Sequence, residues 1–443
     1  MTATAEASDH PPLELGRLTR VRRRGTRRSS LVVFLVLFAV YCAGLGLHAT
    51  RGSDLRASEA HVLLTTESLV HGGDFELTDE YRRSAWKPFY SGRLTPTALA
   101  VNGRLIEPQG LVFPLLLVPA YAIGGPIAVE LFLALIAAAG FAAAAALGRR
   151  LVPDPWAMGA ALAVGLSPPA VLAATTISPA ATCATLVAGA AVLALRVRDH
   201  PAGGAAAGCG ALLALVPWIG PAAILPAAVV AAALFRWLRR RRRAWTGIAA
   251  IELILVSIVL YVTVNGRLFG GLTPYAAATG HSPPTGVGSV GDLLARWTRV
   301  PGVWLDPRHG VLLFAPFLVL AFVSLWLLWR SRRERLARAF PSETDIEVAA
   351  GFLAAICAAA VLTAVLLRPT LGGLVPGEAI AVALPCAAAL CAWSLRRYTR
   401  LGVVLALIGV ALTIWMLAAP RLSDRAAVSP PSGPVPWSIL GAG

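Results

Sequence analysis

The chain is poor in charge. Asp, Glu, Lys and Arg make up 14% of its 443 residues and 57% are hydrophobic, whereas a soluble globular chain carries about 25% charged residues. That balance excludes an ordinary soluble domain and indicates an integral membrane protein with many spans. Lysine is nearly missing: Lys87 is the only one. Arg supplies the rest of the 39 basic residues, against 23 acids, a bias that fits a GC-rich genome and says nothing of function. The six cysteines, Cys42, Cys183, Cys209, Cys357, Cys386 and Cys391, all lie in apolar runs and form no CxxC pair, which excludes a disulfide framework and a cysteine zinc site. No internal repeat is evident, which weighs against an inverted-repeat transporter. No small-residue cleavage site follows the first apolar run, so that run is expected to be a signal anchor.

What the chain does have is long apolar runs. Segments long enough to cross a bilayer fall near 31–48, 126–148, 155–173, 178–196, 203–219, 221–237, 246–265, 310–329, 347–367, 377–394 and 401–419. The run 110–124 is shorter and holds Pro114 and Pro119; it is expected to be a re-entrant or surface helix. The arginines fix the orientation. With the N-terminus inside, the dense clusters Arg17–Arg28, Arg149–Arg150, Arg196–Arg198, Arg236–Arg243, Arg330–Arg338 and Arg396–Arg400 all fall on the inner side, as the positive-inside bias requires. Counting 110–124 as a full span would break that pattern. The net charge of +16 is thereby explained by topology and anionic inner-leaflet lipid, and a nucleic-acid partner is not expected, even from RWLRRRRRAW. The expected fold is an all-α integral membrane protein with about 11 transmembrane helices. Its N-terminus is inside, its C-terminus outside, and its first outer loop is large and bears surface helices. A basic cytoplasmic tail, 1–30, precedes the membrane domain, 31–419, whose main outer loops are 49–109 and 266–309. A Pro-rich outer tail, 420–443, follows.

The acids are concentrated where the basic clusters are not. The first outer loop holds Asp54, Glu59, Glu67, Asp74, Glu76, Asp79, Glu80 and Glu107. A mere connector needs no such length, so the loop reads as a folded functional segment. Within it, SEAHVLLTTESLV has helical spacing, and it can lie flat on the membrane with Leu63, Leu64 and Leu69 near one face. That would hold Asp54 at the outer interface. A carboxylate there can take a proton from a hydroxyl attacking an activated sugar. Positive charge at the same depth would stabilise a departing lipid phosphate; Lys87, Arg93, Arg308 and His309 are the outer-face candidates.

Several stretches resemble one family. GSDLRASEAHVLLTTESLVHGGDFELTDEY, with an early Asp, a helix and then GDFEL, is similar to the first loop of the C-type membrane glycosyltransferases. EPQGLVFPLLLVPAYAIGG, LSPPAVLAATTISPA, NGRLFGGLTPY and VWLDPRHGVLLFAPFLVLAF resemble later elements of bacterial members, in order, over roughly residues 50–390. The resemblance implies a polytopic enzyme that uses polyprenyl-phosphate sugars on the outer face. It implies Asp54 as catalytic base and a supporting role for Asp74 at the GD position. Members differ in whether they use a divalent metal; here the acids are isolated rather than adjacent, with Glu59 the nearest to Asp54, which favours metal-independent transfer. Relatives often carry Arg after a GGxxxG turn near the end of the membrane domain, where GGLVPGEAI places Glu378. If that Arg touches donor phosphate, the phosphate site differs in this chain or its activity is reduced.

Each candidate has a plainer reading. Asp54 can cap the following helix, Glu59 can be a second acid or part of a solvated helix face, and Asp74 can be a turn residue after two glycines. Asp79 and Glu80 suit solvated charge, and Lys87 suits rim charge beside Arg82, Arg83 and Arg93. Asp306, Arg308 and His309 suit an interfacial turn or a phosphate contact. Glu130, Glu252 and Glu378 lie in or at the edges of spans, where an ionised carboxylate needs partners; Glu252 would answer the Arg236–Arg243 cluster. The expected function is transfer of a sugar from a polyprenyl-phosphate donor to a glycan, lipid or protein acceptor outside the plasma membrane. Asp54, Asp74 and Glu59 are the candidate catalytic residues, and Arg308, His309 and Lys87 the candidate phosphate ligands. A lipid or solute transporter or flippase, and a non-catalytic scaffold derived from the transferases, are the alternatives.

Overall fold

A computed structural model describes residues 13–46, 55–240, 244–278, 289–307, 310–336, 341–367 and 377–422. In hydrocarbon a backbone N–H or C=O finds partners only within its own segment, so uncharged apolar runs become helices. The helices in chain order are α1 (Leu13–Ala43), α2 (Ala57–His71), α3 (Thr78–Arg83), α4 (Val112–Gly148), α5 (Trp156–Gly165) and α6 (Pro168–Thr175). Then follow α7 (Pro179–Asp199), α8 (Gly203–Ile219), α9 (Ile224–Arg240) and α10 (Ile248–Phe269), and the short α11 (Val290–Arg296), α12 (Val300–Leu305) and α13 (Val311–Phe314). The last four are α14 (Val319–Leu336), α15 (Pro341–Leu362), α16 (Leu384–Arg397) and α17 (Thr399–Leu422). Among the described residues there is no strand, only the isolated bridges Ala98–Ala278 and Val101–Arg104. Among the described residues seven helices are long and apolar enough to cross a membrane, or eight if the bent pair α5–α6 is one span; Arg28–Ala43, Gly203–Ile219 and Pro316–Arg330 are shorter apolar helices. The chain is a multi-pass membrane protein.

Three elements differ from the sequence expectations. The run 110–124 is not separate from the next span: it forms the first part of α4, which has 37 residues and so about 55 Å of length. The two parts meet at a kink where Gly124 has φ −154° and Gly125 φ +61°. The second value favours glycine, and Pro126 restarts the helix where its missing N–H costs little. The span expected at 155–173 is broken by 63° between α5 and α6, because Pro168 and Pro169 open α6 and remove two donors. Finally, α2 does not lie flat on lipid through one apolar face. Polar and apolar residues alike are buried along it, from Glu59 to Thr66 and at Ser68, because it is enclosed by the rest of its own loop and by α4. The six-residue α3, by contrast, buries only Glu80 and is a surface helix.

Close helix packing relies on small residues. A Cβ on Gly210 of α8 would sit 2.6 Å from the Ala250 backbone of α10, and one on Gly140 of α4 would sit 2.4 Å from Thr185 Oγ1 of α7. The two ends of the bundle differ in kind. At one, Ser29 Oγ donates to Asp154 at 2.7 Å, and Arg149 reaches both Ser29 (3.2 Å) and Asp154 (3.6 Å). Arg150 pairs with Asp199 and Arg198 with Asp345, and the Arg198 guanidinium stands 5.9 Å from the Trp237 ring. Arg149–Arg150 and Arg198, read as inner from the sequence, thus gather at one end. The first loop packs at the other. If that end is outside, cysteine introduced as Ser91→Cys reacts with an impermeant maleimide on intact cells, and His200→Cys reacts only after permeabilisation. Both positions are exposed; labelling of both from one side would overturn the two-ended arrangement.

Candidate functional site

The site is built around the start of α2. Glu59 lies in its first turn and is 2% exposed. One carboxylate oxygen, Oε2, accepts the Arg56 N–H at 2.9 Å. The other, Oε1, accepts the N–H of Ile177, just ahead of α7, at 2.8 Å. The solvated-face reading of Glu59 is therefore overturned: the carboxylate satisfies two buried backbone donors and ties the first loop to the bundle. Burial pushes its acidity weaker than usual, opposed by the Arg56 charge and the two N–H bonds, while Glu378 adds to the rise.

Arg56 is 4% exposed. Burial lowers the pKa of its guanidinium, and the charges of Glu59 and then Glu378 oppose that. Its Nε and Nη1 have no hydrogen-bond partner among the described residues. A buried donor left unmet costs about 1–3 kcal/mol, more when charged, so this guanidinium is poised for an acceptor-rich anion.

A second buried centre holds the rest of the loop in place. The side chain of Glu107, at the far end of the loop, is fully buried. It accepts the Tyr81 hydroxyl at 2.5 Å and the Thr97 N–H at 3.1 Å, and the Thr97 hydroxyl also donates to it. Since Tyr81 donates to Glu107, the 2.8 Å contact between Tyr81 and His61 Nδ1 assigns the imidazole proton to Nδ1. Burial lowers the His61 pKa, partly opposed by Glu107; burial, helped by the Glu107 bond and charge, raises that of Tyr81. Trp86, Leu64, Leu77 and Leu94 form the loop's own apolar core with Ala60. The second outer loop joins it where Leu99 N–H donates to Ala277 O at 2.7 Å.

Between these layers lies a cavity of about 220 Å³, walled by the start of α2, the start of α4, the turns before α7 and α9, Tyr275 of the second loop, and Glu378. Ser58 Oγ, Gln109 Oε1 and Ser178 Oγ belong to its wall and have no hydrogen-bond partner among the described residues. Most buried polar atoms in folded proteins are paired, so three unmet ones in one cavity wall mark a place for a polar ligand.

The sequence candidates fall variously. Asp54, Arg308 and His309 lie outside the described residues. Asp74 is exposed, beyond the C-terminal end of α2, where Ser68 Oγ donates to its carbonyl at 3.1 Å. The length of α2, about 20 Å, separates it from Glu59. Lys87 is exposed past α3, in the turn closed by its N–H to Ser84 O. Glu252 is on the exposed side of α10, Glu130 is half-buried on α4, and Asp306 closes a turn by accepting the Gly310 N–H at 2.8 Å. Glu378 is brought to the cavity. The sequence reading missed Arg56, Ser58, Gln109 and Ser178. The only signal for Arg56 was its place two residues after Asp54. Among the described residues no three His, Cys, Asp or Glu side chains are grouped to hold a metal ion.

No family model and no curated protein matches the sequence. Solved structures do. ArnT from Cupriavidus metallidurans bound to undecaprenyl phosphate superposes with a TM-score of 0.51 at 16% identity, over 88% of this chain and 64% of ArnT. Its apo state gives 0.50 at 16%, over 90% and 65%. The chain has the fold of the C-type membrane glycosyltransferases. It spans 64% of the length of the ArnT chain it matches, and at such identity the likeness is one of fold. The archaeal oligosaccharyltransferase AglB from Archaeoglobus fulgidus, in complex with an inhibitory peptide and a dolichol-phosphate, aligns at 0.48 with 12% identity, over 90% of this chain and 56% of AglB. Within the C-type fold, the enclosed first loop is the element whose stability can be read by pH. A His whose pKa is lowered on folding favours opening as pH falls below its ordinary value of 6.5, by up to about 1.4 kcal/mol per pH unit. Limited proteolysis of the loop in detergent should therefore accelerate between pH 7.5 and 5.5 more in wild type than in His61→Gln. The raised pKa of Glu59 acts with opposite sign in both proteins and drops out of the comparison; equal acceleration would show that His61 does not titrate on opening.

Proposed function

We propose that this chain is a membrane glycosyltransferase that moves a sugar from a polyprenyl-phosphate donor to an acceptor on the outer face of the plasma membrane. The observation that carries the reading is the buried Arg56 guanidinium with two unmet nitrogens, beside a polar-walled cavity, in a chain with the C-type fold. Arg is suited to phosphate because its planar fork offers parallel donors. Asp54, two residues earlier in sequence, is the proposed base. It takes the acceptor hydroxyl proton as the acceptor oxygen bonds to the anomeric carbon. The bond from that carbon to the phosphate oxygen breaks, and its electron pair leaves with the polyprenyl phosphate. Arg56, with Arg308 and His309 as further phosphate ligands, stabilises that negative charge. Glu59 holds Arg56 in place rather than acting as a base, since both of its oxygens accept backbone N–H bonds. Asp74 and Lys87 take supporting places on the loop surface. The acceptor is a glycan, lipid or protein reached from outside, and transfer runs without a metal ion.

The test compares Asp54→Asn with wild type at matched expression in a strain lacking the native copy. A general base contributes about 10²–10⁴-fold, so the variant should reproduce the deletion's loss of an envelope glycan and accumulate polyprenyl-phosphate sugar while remaining folded. Full restoration of the glycan by Asp54→Asn would make Asp54 structural and move the transporter and scaffold readings ahead.

A further inference from the structure

Resting on that reading, we infer that the cavity bounded by Ser58, Gln109, Ser178 and Glu378 is the pocket for the donor's sugar, and that it takes a hydroxyl-rich monosaccharide without a carboxylate. Its volume of about 220 Å³ corresponds to about seven waters, room for one pentose or hexose ring. Its polar groups are those that hydroxyls satisfy. Gln109 Nε2 already donates to the Ser58 carbonyl at 3.3 Å, which leaves Oε1 as an acceptor. Ser58 Oγ and Ser178 Oγ can each donate and accept, and Ser178 is 7% exposed. The remaining wall is apolar, from Val62 and Phe113 to Ala379 and Val382, and suits the C–H faces of a sugar ring.

Charge decides the class. Glu378 stands in the wall, and Glu59 is close enough to feel it. A sugar carboxylate in the same cavity would meet like charge at short range in a poorly solvated site, where repulsion is several-fold stronger than in water. Arg56, a buried cation nearby, already faces Glu59 and Glu378 and is assigned to the phosphate. Hydroxyls therefore fit where a uronate does not. An unpaired hydroxyl-binding group also discriminates sharply, because an analogue that cannot bond to it leaves a buried polar atom unmet.

The experiment measures ligand-induced thermal shifts and affinities of the full chain purified in detergent. The probes are bare polyprenyl phosphate, polyprenyl-phosphate pentoses and neutral hexoses, a polyprenyl-phosphate amino sugar, and polyprenyl-phosphate glucuronate. Wild type should bind at least one sugar conjugate without a carboxylate roughly tenfold tighter than bare polyprenyl phosphate, and the glucuronate no tighter than the bare lipid. Ser178→Ala and Gln109→Leu should each erase most of the tenfold gain while leaving bare polyprenyl phosphate unchanged. The isosteric Glu378→Gln should bring glucuronate up towards the neutral sugars. If every sugar conjugate binds like the bare lipid, or if glucuronate is preferred, the sugar pocket is wrong while the lipid-phosphate site stands. If bare polyprenyl phosphate itself does not bind folded protein, the transferase reading falls instead.

Discussion

The candidate site depends on a carboxylate with no room to move. Glu59 spans two backbone N–H groups, that of Arg56 and that of Ile177, the second 118 positions away from the carboxylate in sequence, and these belong to different layers, the first loop and the turn ahead of α7. Without an acceptor both donors would be buried and unpaired, at about 1–3 kcal/mol each. Satisfying them fixes α2 against the bundle, and α2 carries Arg56 and Ser58 at its start. The weakened acidity of Glu59 shows that this anchor is held against the cost of burial. It also explains why the loop can be rich in acids and still pack: its two most buried acids, Glu59 and Glu107, are each engaged with donors from elsewhere in the loop or the bundle.

Much of the fold was legible because hydrocarbon leaves the backbone few choices. Apolar runs reported helices wherever they were long, and Pro168–Pro169 and the Gly124–Gly125 pair mark where these helices bend. What periodicity could not report was which helix face meets protein rather than lipid. The Leu63, Leu64 and Leu69 spacing suited a helix on a membrane surface as well as one inside a loop, and only the distant partners of Glu59 and His61 decide between them. Composition has the same blind spot. A stretch of mixed charge such as GSDLRASE looks solvated, yet Arg56 and Glu59 are 4% and 2% exposed, because their neighbours in space come from residues 177 and 378.

The distribution of charge supports the same division of labour. At the arginine end, cations meet acids from neighbouring helices, as in Arg149–Asp154 and Arg150–Asp199. Half-exposed pairs of this kind contribute little individually, roughly 0–1 kcal/mol. At the loop end a few charges lie deep beneath exposed ones such as Asp74 and Lys87, and several buried polar atoms have no partner among the described residues. Stability alone would not retain an unsatisfied guanidinium beside three unsatisfied oxygens, whereas a ligand that supplies acceptors to the first and hydroxyls to the others accounts for all four.

The position of Glu378 follows from the same electrostatics. The family resemblance leads one to expect Arg after the GGxxxG turn, and an acid there removes one expected phosphate contact. In the folded chain Glu378 lies within electrostatic reach of Arg56 and raises its pKa against the lowering effect of burial. A guanidinium is effectively always charged, so the acid's effect is not to keep it protonated but to offset the cost of holding that charge out of water. Arg56 beside the cavity and the acids Glu59 and Glu378 thus offset one another's charge before a phosphate arrives. A second Arg at 378 would place two unpaired cations around the same cavity, with Glu59 as their one shared counter-charge. Retaining a single buried cation with two acids therefore makes the empty site less costly, and leaves the carboxylate of Glu378 where it can bear on the sugar rather than on the phosphate.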